Sequence, residues 1–338
     1  MANSAPEVKN KILLSTVLCK KKNRDIIMEH NVLMAGLKLH LNKLTETLKY
    51  KKVIYVDYPV HHNIGDLLIY VGAIKLLREN GVEIISQFSA NNYRLENIKR
   101  IIKKHNGNIS IVFHGGGNLG DLYSLHQKCR LDILASFPNI NTVIFPQTIF
   151  YKDEKVLNTD AEIFRNHKSL TLFVRDKKSE TLGRLLCDDI ELCPDTAHMI
   201  WEQDSFLDIP KMKGTGILKF RRRDIESDAN IEDAFDWDDI VYAGEIQFMN
   251  RIRKLMKYDK LSLLNDIIAR YWVKHSTKLC VRAAKTFSNY DSIETDRLHG
   301  HILCCLIGKS NVVLDNSYGK NSAYFDLWTT ESPLGQFK

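Results

Sequence analysis

The residues of this chain best suited to chemistry sit in short polar runs that follow apolar ones. Thr295-Asp296-Arg297-Leu298-His299-Gly300-His301 precedes an apolar stretch with helical spacing, so Arg297 and His299 fall at a predicted helix start. Free backbone N–H groups and the helix dipole reinforce anion binding there, and an arginine with a histidine makes a handle for a phosphate or an enolate. Phe220-Arg221-Arg222-Arg223-Asp224 places three adjacent arginines at a strand end. They cannot all point outward, and a guanidinium captures carboxylate or phosphate in bidentate fashion; the same run also reads as a solvated charge cluster. In His61-His62-Asn63-Ile64-Gly65-Asp66, Gly65 permits a tight turn, while Asn63 and Asp66 either cap a helix or face a ligand. His114-Gly115-Gly116-Gly117-Asn118-Leu119-Gly120-Asp121 spends three consecutive glycines, which is costly unless the backbone bends sharply or approaches a ligand closely. A helix from about residue 121 is expected to follow and to offer N–H groups to an anion or a sugar. The run is not a Walker A sequence, which argues against ATP hydrolysis.

Three further polar pairs stand where strands should end. Gln147 in Pro146-Gln147-Thr148 and Asp195 in Pro194-Asp195-Thr196-Ala197-His198 can present side chains to a cleft, and Arg175-Asp176 either does the same or forms a structural ion pair. Each alone is turn chemistry; their shared location is the argument. The scattered His and Asp residues show no spacing that demands a metal.

The elements that must position these residues alternate short β-branched runs with helical patterns, the signature of α/β units around parallel sheets. Strands are predicted at Val53–Asp57, Glu83–Phe88, Ile109–Phe113, Thr142–Phe145, Leu170–Val174 and Ile190–Leu192, with helices near 66–80, 92–104, 121–136, 153–167 and 177–186. A second set follows the break at 203–215: Gly216–Phe220, helical patterns over 246–284, Ser292–Thr295, a helix from 297 to 307 and Asn311–Asp315. The expected architecture is α/β, two Rossmann-like domains facing a central cleft, where ligands gather at the carboxyl ends of strands. Residues 51–208 form the first domain, 209–318 the second, and 319–338 a C-terminal segment that packs back on the first.

Composition narrows the function classes. The 338 residues are 44% hydrophobic and 26% charged, with a net charge of +7, which excludes disorder and a disulfide scaffold. Residues 1–52 hold 11 Lys and Arg against 4 Asp and Glu, leaving 37 of each in the body. A neutral body lacks the basic face that tracks phosphates, so no nucleic-acid partner is expected. Seven cysteines, odd in number and without a C-x-x-C pair, point to a reducing cytoplasm. The apolar stretch Ile12–Cys19 runs into Lys20-Lys21-Lys22 with no cleavage site, unlike a signal peptide. Leu33, Leu37, Leu41, Leu44 and Leu48 mark an amphipathic helix, so residues 1–50 read as a basic arm and a helix that packs on the first domain. Lys20, Lys21, Lys22 and Arg24 also suit peripheral contact with an anionic membrane.

Taken together, Asn63-Ile64-Gly65-Asp66, His114 to Asp121, Pro146-Gln147, Arg175-Asp176, Pro194-Asp195, Thr295 to His301 and Tyr318-Gly319-Lys320 resemble the polysaccharide pyruvyl transferases. The resemblance implies a fold like that of the GT-B glycosyltransferases. It implies transfer of a pyruvyl group from phosphoenolpyruvate to two hydroxyls of a sugar, a cyclic ketal and free phosphate as products, and no cofactor. By that resemblance the donor contacts fall on Arg297, the backbone at Leu298, and His299, with either Arg221 or Arg222. The acceptor, a sugar on a polysaccharide or lipid-linked precursor, would meet Asn63, Gly65, Asp66, His114, Gly115, Gly116, Gly117 and Asn118, with Gln147 and Asp195 nearby. His299 is the expected proton donor, and Asp66 or His114 the base. Two other readings remain: a glycosyltransferase of the same architecture using a nucleotide sugar, and a non-catalytic carbohydrate-binding or assembly protein.

Overall fold

A computed structural model describes residues 25–207, 209, 214–223, 234–259, 264–315 and 319–338. Lys20, Lys21, Lys22, Arg24, Pro210, Asp224 and Tyr318, to which the sequence reading gave weight, lie outside the described residues.

Residues 25–40 form helix α1, and Lys43–Glu46 form the short α2. Leu37, Leu41, Leu44 and Leu48 are buried in the main core, with Leu33 packed at its margin, so the leucine stripe is a core face. The chain then alternates through β1 (Lys52–Val56), α3 (Ile64–Glu79), β2 (Glu83–Phe88), α4 (Leu95–Lys104), β3 (Ser110–Phe113), β4 (Gly116–Gly120), α5 (Ser124–Ser136) and β5 (Thr142–Phe150). It continues with α6 (Glu154–Asn166), β6 (Leu170–Val174), α7 (Lys177–Gly183), β7 (Ile190–Leu192), a 3₁₀ turn at Thr196–Ile200 and α8 (Asp204–Leu207). The second half comprises β8 (Ile217–Phe220), α9 (Ala243–Tyr258), α10 (Asn265–Ser288), β9 (Ser292–Thr295), α11 (Leu298–Ile307), β10 (Ser310–Val313), α12 (Lys320–Tyr324) and β11 (Gly335–Phe337).

The strands assemble into two parallel sheets. One has the order β2-β1-β3-β5-β6-β7 with β4 pairing on β5; the other has the order β11-β10-β9-β8. Near-continuous apolar runs such as Lys52–Val56 and Leu170–Val174 suit strands covered on both faces. Successive side chains then go to opposite cores: Val53 and Tyr55 join one cluster, and Ile54 and Val56 the other. The first cluster runs on through α3, α10 and α11 into Phe220 and Ile293 of the second sheet. A single apolar layer therefore holds the two sheets together.

The fold corrects the reading of the glycine run. Gly116–Gly120 is a strand, not a turn into a helix, and α5 begins only at Ser124. The cause is steric: at Gly120, φ is +124° and a Cβ would lie 1.8 Å from the Phe150 carbonyl oxygen, so only glycine lets β4 reach β5. Strand β5 correspondingly runs past Phe145 to Phe150. The C-terminal residues touch both halves. Gly335–Phe337 pairs with β10, while Trp328 donates from its indole N–H to the Arg175 carbonyl at 2.8 Å. Among the described residues, no helix is long and apolar enough to cross a membrane.

Candidate active site

Two helix N-termini, α3 from the first half and α11 from the second, converge on one cavity of ≈ 260 Å³. Helix α3 starts where Asn63 turns its side-chain oxygen onto the Gly65 N–H at 3.0 Å. Asn63 therefore caps the helix, which frees Asp66 to line the cavity. Helix α11 opens at Leu298 immediately after β9, and Arg297, Leu298 and His299 all line the cavity. The helices meet closely: a Cβ on Gly65 would sit 2.8 Å from His299 Nδ1 and 3.0 Å from His299 Cβ. Gly65 thus makes room for His299.

His299 is held by a buried carboxylate. Its Nε2 lies 3.2 Å from Asp195 Oδ2, and the same oxygen accepts from Arg175 Nη1 at 2.6 Å. Oδ1 of Asp195 accepts from the Ala197 N–H at 2.9 Å. Burial would raise the Asp195 carboxyl, but His299, Arg175 and the Ala197 N–H together hold it far below the ordinary carboxylate range. Asp195, expected as a substrate contact, is not among the cavity-lining residues; its oxygens are taken by Arg175, the Ala197 N–H and His299. Arg175 pairs with Asp195 rather than with Asp176, whose side chain caps α7.

Arg175 carries the most informative atom of the site. Its Nε donates to Thr148 Oγ1 at 2.8 Å, while its buried Nη2 has no hydrogen-bond partner. That Nη2 and Lys320 Nζ converge on Gly117, where a Cβ would meet them at 3.2 and 2.9 Å. A buried donor without a partner costs free energy unless something accepts from it. Two cationic side chains therefore converge on Gly117 in the cavity lining, a pairing that suits an anion.

The second-half arginines divide. Arg222 lines the cavity, with its N–H on Asp296 Oδ1 at 2.8 Å. Arg221 instead turns its guanidinium to Glu294 and is absent from the lining. Arg297 reaches the cavity while gripping Asp236 through Nε and Nη2, the latter at 2.6 Å.

On the first-half side, His114 is fixed by Tyr55, whose hydroxyl lies 2.8 Å from Nδ1. Its buried Nε2 has no partner, and burial pushes its pKa down to about 4. Burial would raise Asp66, but His61, His299, His114 and Lys320 outweigh it and keep its carboxyl below the ordinary value. Asn118 lines the cavity and donates to Asp57 Oδ2 at 3.2 Å. Asp57 also holds His126 Nδ1 at 2.7 Å; burial lowers that histidine, and Asp57 more than reverses the effect. Gly117 is in the lining, but Gly115 and Gly116 are not. Gln147 is fully buried and donates to the His114 carbonyl at 2.7 Å, so it braces His114 instead of facing the cavity.

Sequence reasoning missed Asp57, Tyr123, His126 and Trp237, which also line the cavity. It quoted Lys320 only as part of a motif. Asp57 had no local signal: its importance shows in a left-handed φ of +68° at the end of β1, uncommon for a residue other than glycine.

The model of the polysaccharide pyruvyl transferase family matches residues 63–318, which span every element of this cavity except Asp57, Pro59, His61 and Lys320. The chain belongs to the polysaccharide pyruvyl transferase family. EpsO of Bacillus subtilis (strain 168), provisionally named a pyruvyl transferase, is 34% identical over 309 residues, covering 89% of this chain and 92% of that one. Pyruvyl transferase 1 of Schizosaccharomyces pombe is 27% identical over 291 residues, covering 82% of this transferase and 70% of the yeast protein. A crystal structure of a Klebsiella pneumoniae protein of uncharacterised function shares the fold, with a TM-score of 0.59, 19% identity, and coverage of 89% of this chain and 98% of that one.

Proposed function

We propose that this pyruvyl transferase moves the pyruvyl group of phosphoenolpyruvate onto two hydroxyls of one sugar in a polysaccharide or its lipid-linked precursor, at the cytoplasmic face of a membrane. The observation that carries this reading is at Gly117, where the buried Arg175 Nη2, which has no hydrogen-bond partner, and Lys320 Nζ converge in the cavity that His299 also lines. A trianionic donor needs convergent cations next to a proton source, and here both face one cavity. In this reading the sheets are the cores of two Rossmann-like domains arranged as in GT-B enzymes: 51–208 holds the acceptor and lends Arg175 to the donor, 209–318 supplies the other donor contacts, and 319–338 bridges them and brings Lys320.

The chemistry balances without a cofactor. Arg175, Lys320 and Arg222 neutralise the donor's phosphate and carboxylate, and Arg297, fixed by Asp236, adds positive charge at the α11 N-terminus. His299, oriented by Asp195, gives a proton to the donor's methylene carbon, which becomes a methyl group. Positive character develops at the neighbouring carbon, and a sugar hydroxyl attacks it while passing its proton to Asp66. Phosphate leaves with the electrons of the C–O bond, and the second hydroxyl closes the ketal, its proton ending on the phosphate. Electrostatic stabilisation by a preorganised donor is typically worth about 10²–10³ in rate.

Phosphate release from phosphoenolpyruvate across a panel of lipid-linked and aryl glycosides tests this. Wild type should release phosphate only with an acceptor, and Lys320→Ala and His299→Ala should each lose about 10²–10³ of that rate. Indifference to both substitutions would sink the assignment. Release of nucleotide from a sugar nucleotide, with phosphoenolpyruvate inert, would establish the glycosyltransferase reading in its place.

A further inference from the structure

We propose that the hairpin of α9 and α10 is a docking surface for an anionic lipid bilayer, and that it holds the mouth of the cavity at the membrane. The hairpin exposes large apolar side chains at helical spacing: Leu255 and Tyr258 on α9 (43% and 69% exposed), and Ile267 and Tyr271 on α10 (57% and 56%). Phe248 of α9 stacks obliquely on Tyr271 with ring centroids 5.5 Å apart, so the two rows adjoin. Interleaved with them are exposed cations, Arg251, Lys254 and Lys257 on α9 and Arg270, Lys274 and Lys278 on α10. Against these the described part of the hairpin holds only Glu245, Asp259 and Asp266 as acids. Tyrosines beside lysines and arginines on helices far too polar to be inserted are the composition of a surface that rests in the headgroup region.

The hairpin is also in the right place. Asn265, the first residue of α10, donates its amide to the Gln87 carbonyl near the end of β2 and accepts from Asn92 at 2.8 Å. Trp272 Nε1 donates to the Pro59 carbonyl at 2.6 Å, and Arg253 Nε to the Val60 carbonyl at 2.7 Å. Pro59 itself lines the cavity. The hairpin therefore flanks the carboxyl ends of the strands, where an acceptor carried on a lipid would enter.

The competing surface is α1. It exposes Ile27, Met28, Val32 and Leu39, but its charges are Asp25, Glu29 and Lys38, which do not complement an anionic leaflet. Its His30 Nε2 bonds the Cys305 carbonyl at 2.8 Å, near the C-terminus of α11, about 9 Å along that helix from His299.

The test is flotation of the full-length protein with phosphatidylcholine vesicles, with and without phosphatidylglycerol. Wild type should float only with the anionic vesicles, and less so at high salt. Lys254→Ala with Lys257→Ala should weaken partitioning by about 25-fold, at roughly fivefold per basic residue. Tyr258→Ser with Tyr271→Ser should weaken it comparably and without salt dependence. Both pairs are exposed, so thermal melting and turnover of a soluble aryl glycoside should stay at wild-type values, which separates failure of docking from failure of the catalytic reading. Unchanged flotation of both variants, loss of flotation on deleting residues 1–24 alone, or binding to a soluble acidic polysaccharide in preference to vesicles would each overturn the proposal.

Discussion

Asp195 shows how a residue chosen for its type can belong to the site for another reason. A carboxylate at a strand end was expected to touch substrate, yet both oxygens are occupied by Arg175, the Ala197 N–H and His299. Its role in the proposed reaction is to fix the ring of His299, whose Nε2 lies 3.2 Å from Asp195 Oδ2. Asp195→Asn keeps the shape and removes the charge, so kcat should fall by about 10²–10⁴ with the donor KM little changed. Initial rates measured against donor concentration separate kcat from KM, and a fall in donor affinity alone would show that Asp195 serves binding. The same kind of logic applies to Arg221 and Arg222. Adjacent arginines are equivalent as sequence, and only the placement of Glu294 beside Arg221 decides which of them faces the cavity.

At the scale of elements, the site depends on how closely α3 can approach its neighbours. Gly72 lies against the 3₁₀ turn that follows Asp195: a Cβ there would fall 2.0 Å from the Thr196 carbonyl oxygen and 3.0 Å from Ala197 Cα. These are backbone atoms and cannot swing aside, so Gly72→Ala should destabilise the protein by about 1–3 kcal/mol and lower activity by shifting Asp195. Gly36 in α1 is the control, with nothing within 4 Å of its added Cβ; Gly36→Ala should raise stability by up to about 1 kcal/mol, as expected for an exposed helix interior. Urea midpoints of the two variants should move in opposite directions. The order and type of most elements were legible because apolar periodicity sets them. Strand β4 was not, since Gly116–Gly120 carries no β-branched residue in its five positions and becomes a strand only because β5 lies beside it.

At the scale of the whole molecule, buried neutral histidines make the fold acid-sensitive. Burial pushes His114, His167 and His301 down to about 4 and His198 to about 3. Each stays uncharged in the folded protein while the unfolded chain takes up protons below the ordinary histidine value of 6.5. Their contribution is thus fully present above pH 6.5 and is lost as the pH falls towards about 4. Denaturation midpoints measured across that range should fall steadily with pH. A flat profile would mean that these groups find protonated partners in the fold.

The sequence by itself determined the α/β class, the leucine face of the N-terminal helix and the motifs that carry the family, because period, glycine placement and local polarity are properties of neighbouring residues. The tertiary structure decided the rest. Arg175, Lys320 and Gly117 are separated by up to about 200 positions in the chain, and their convergence on one cavity depends on how the two sheets share a core. Which arginine faces the cavity, and whether Asp195 binds or orients, rest on the same long-range packing. A side chain's type sets the chemistry it can do, but the partners that surround it are brought by distant segments.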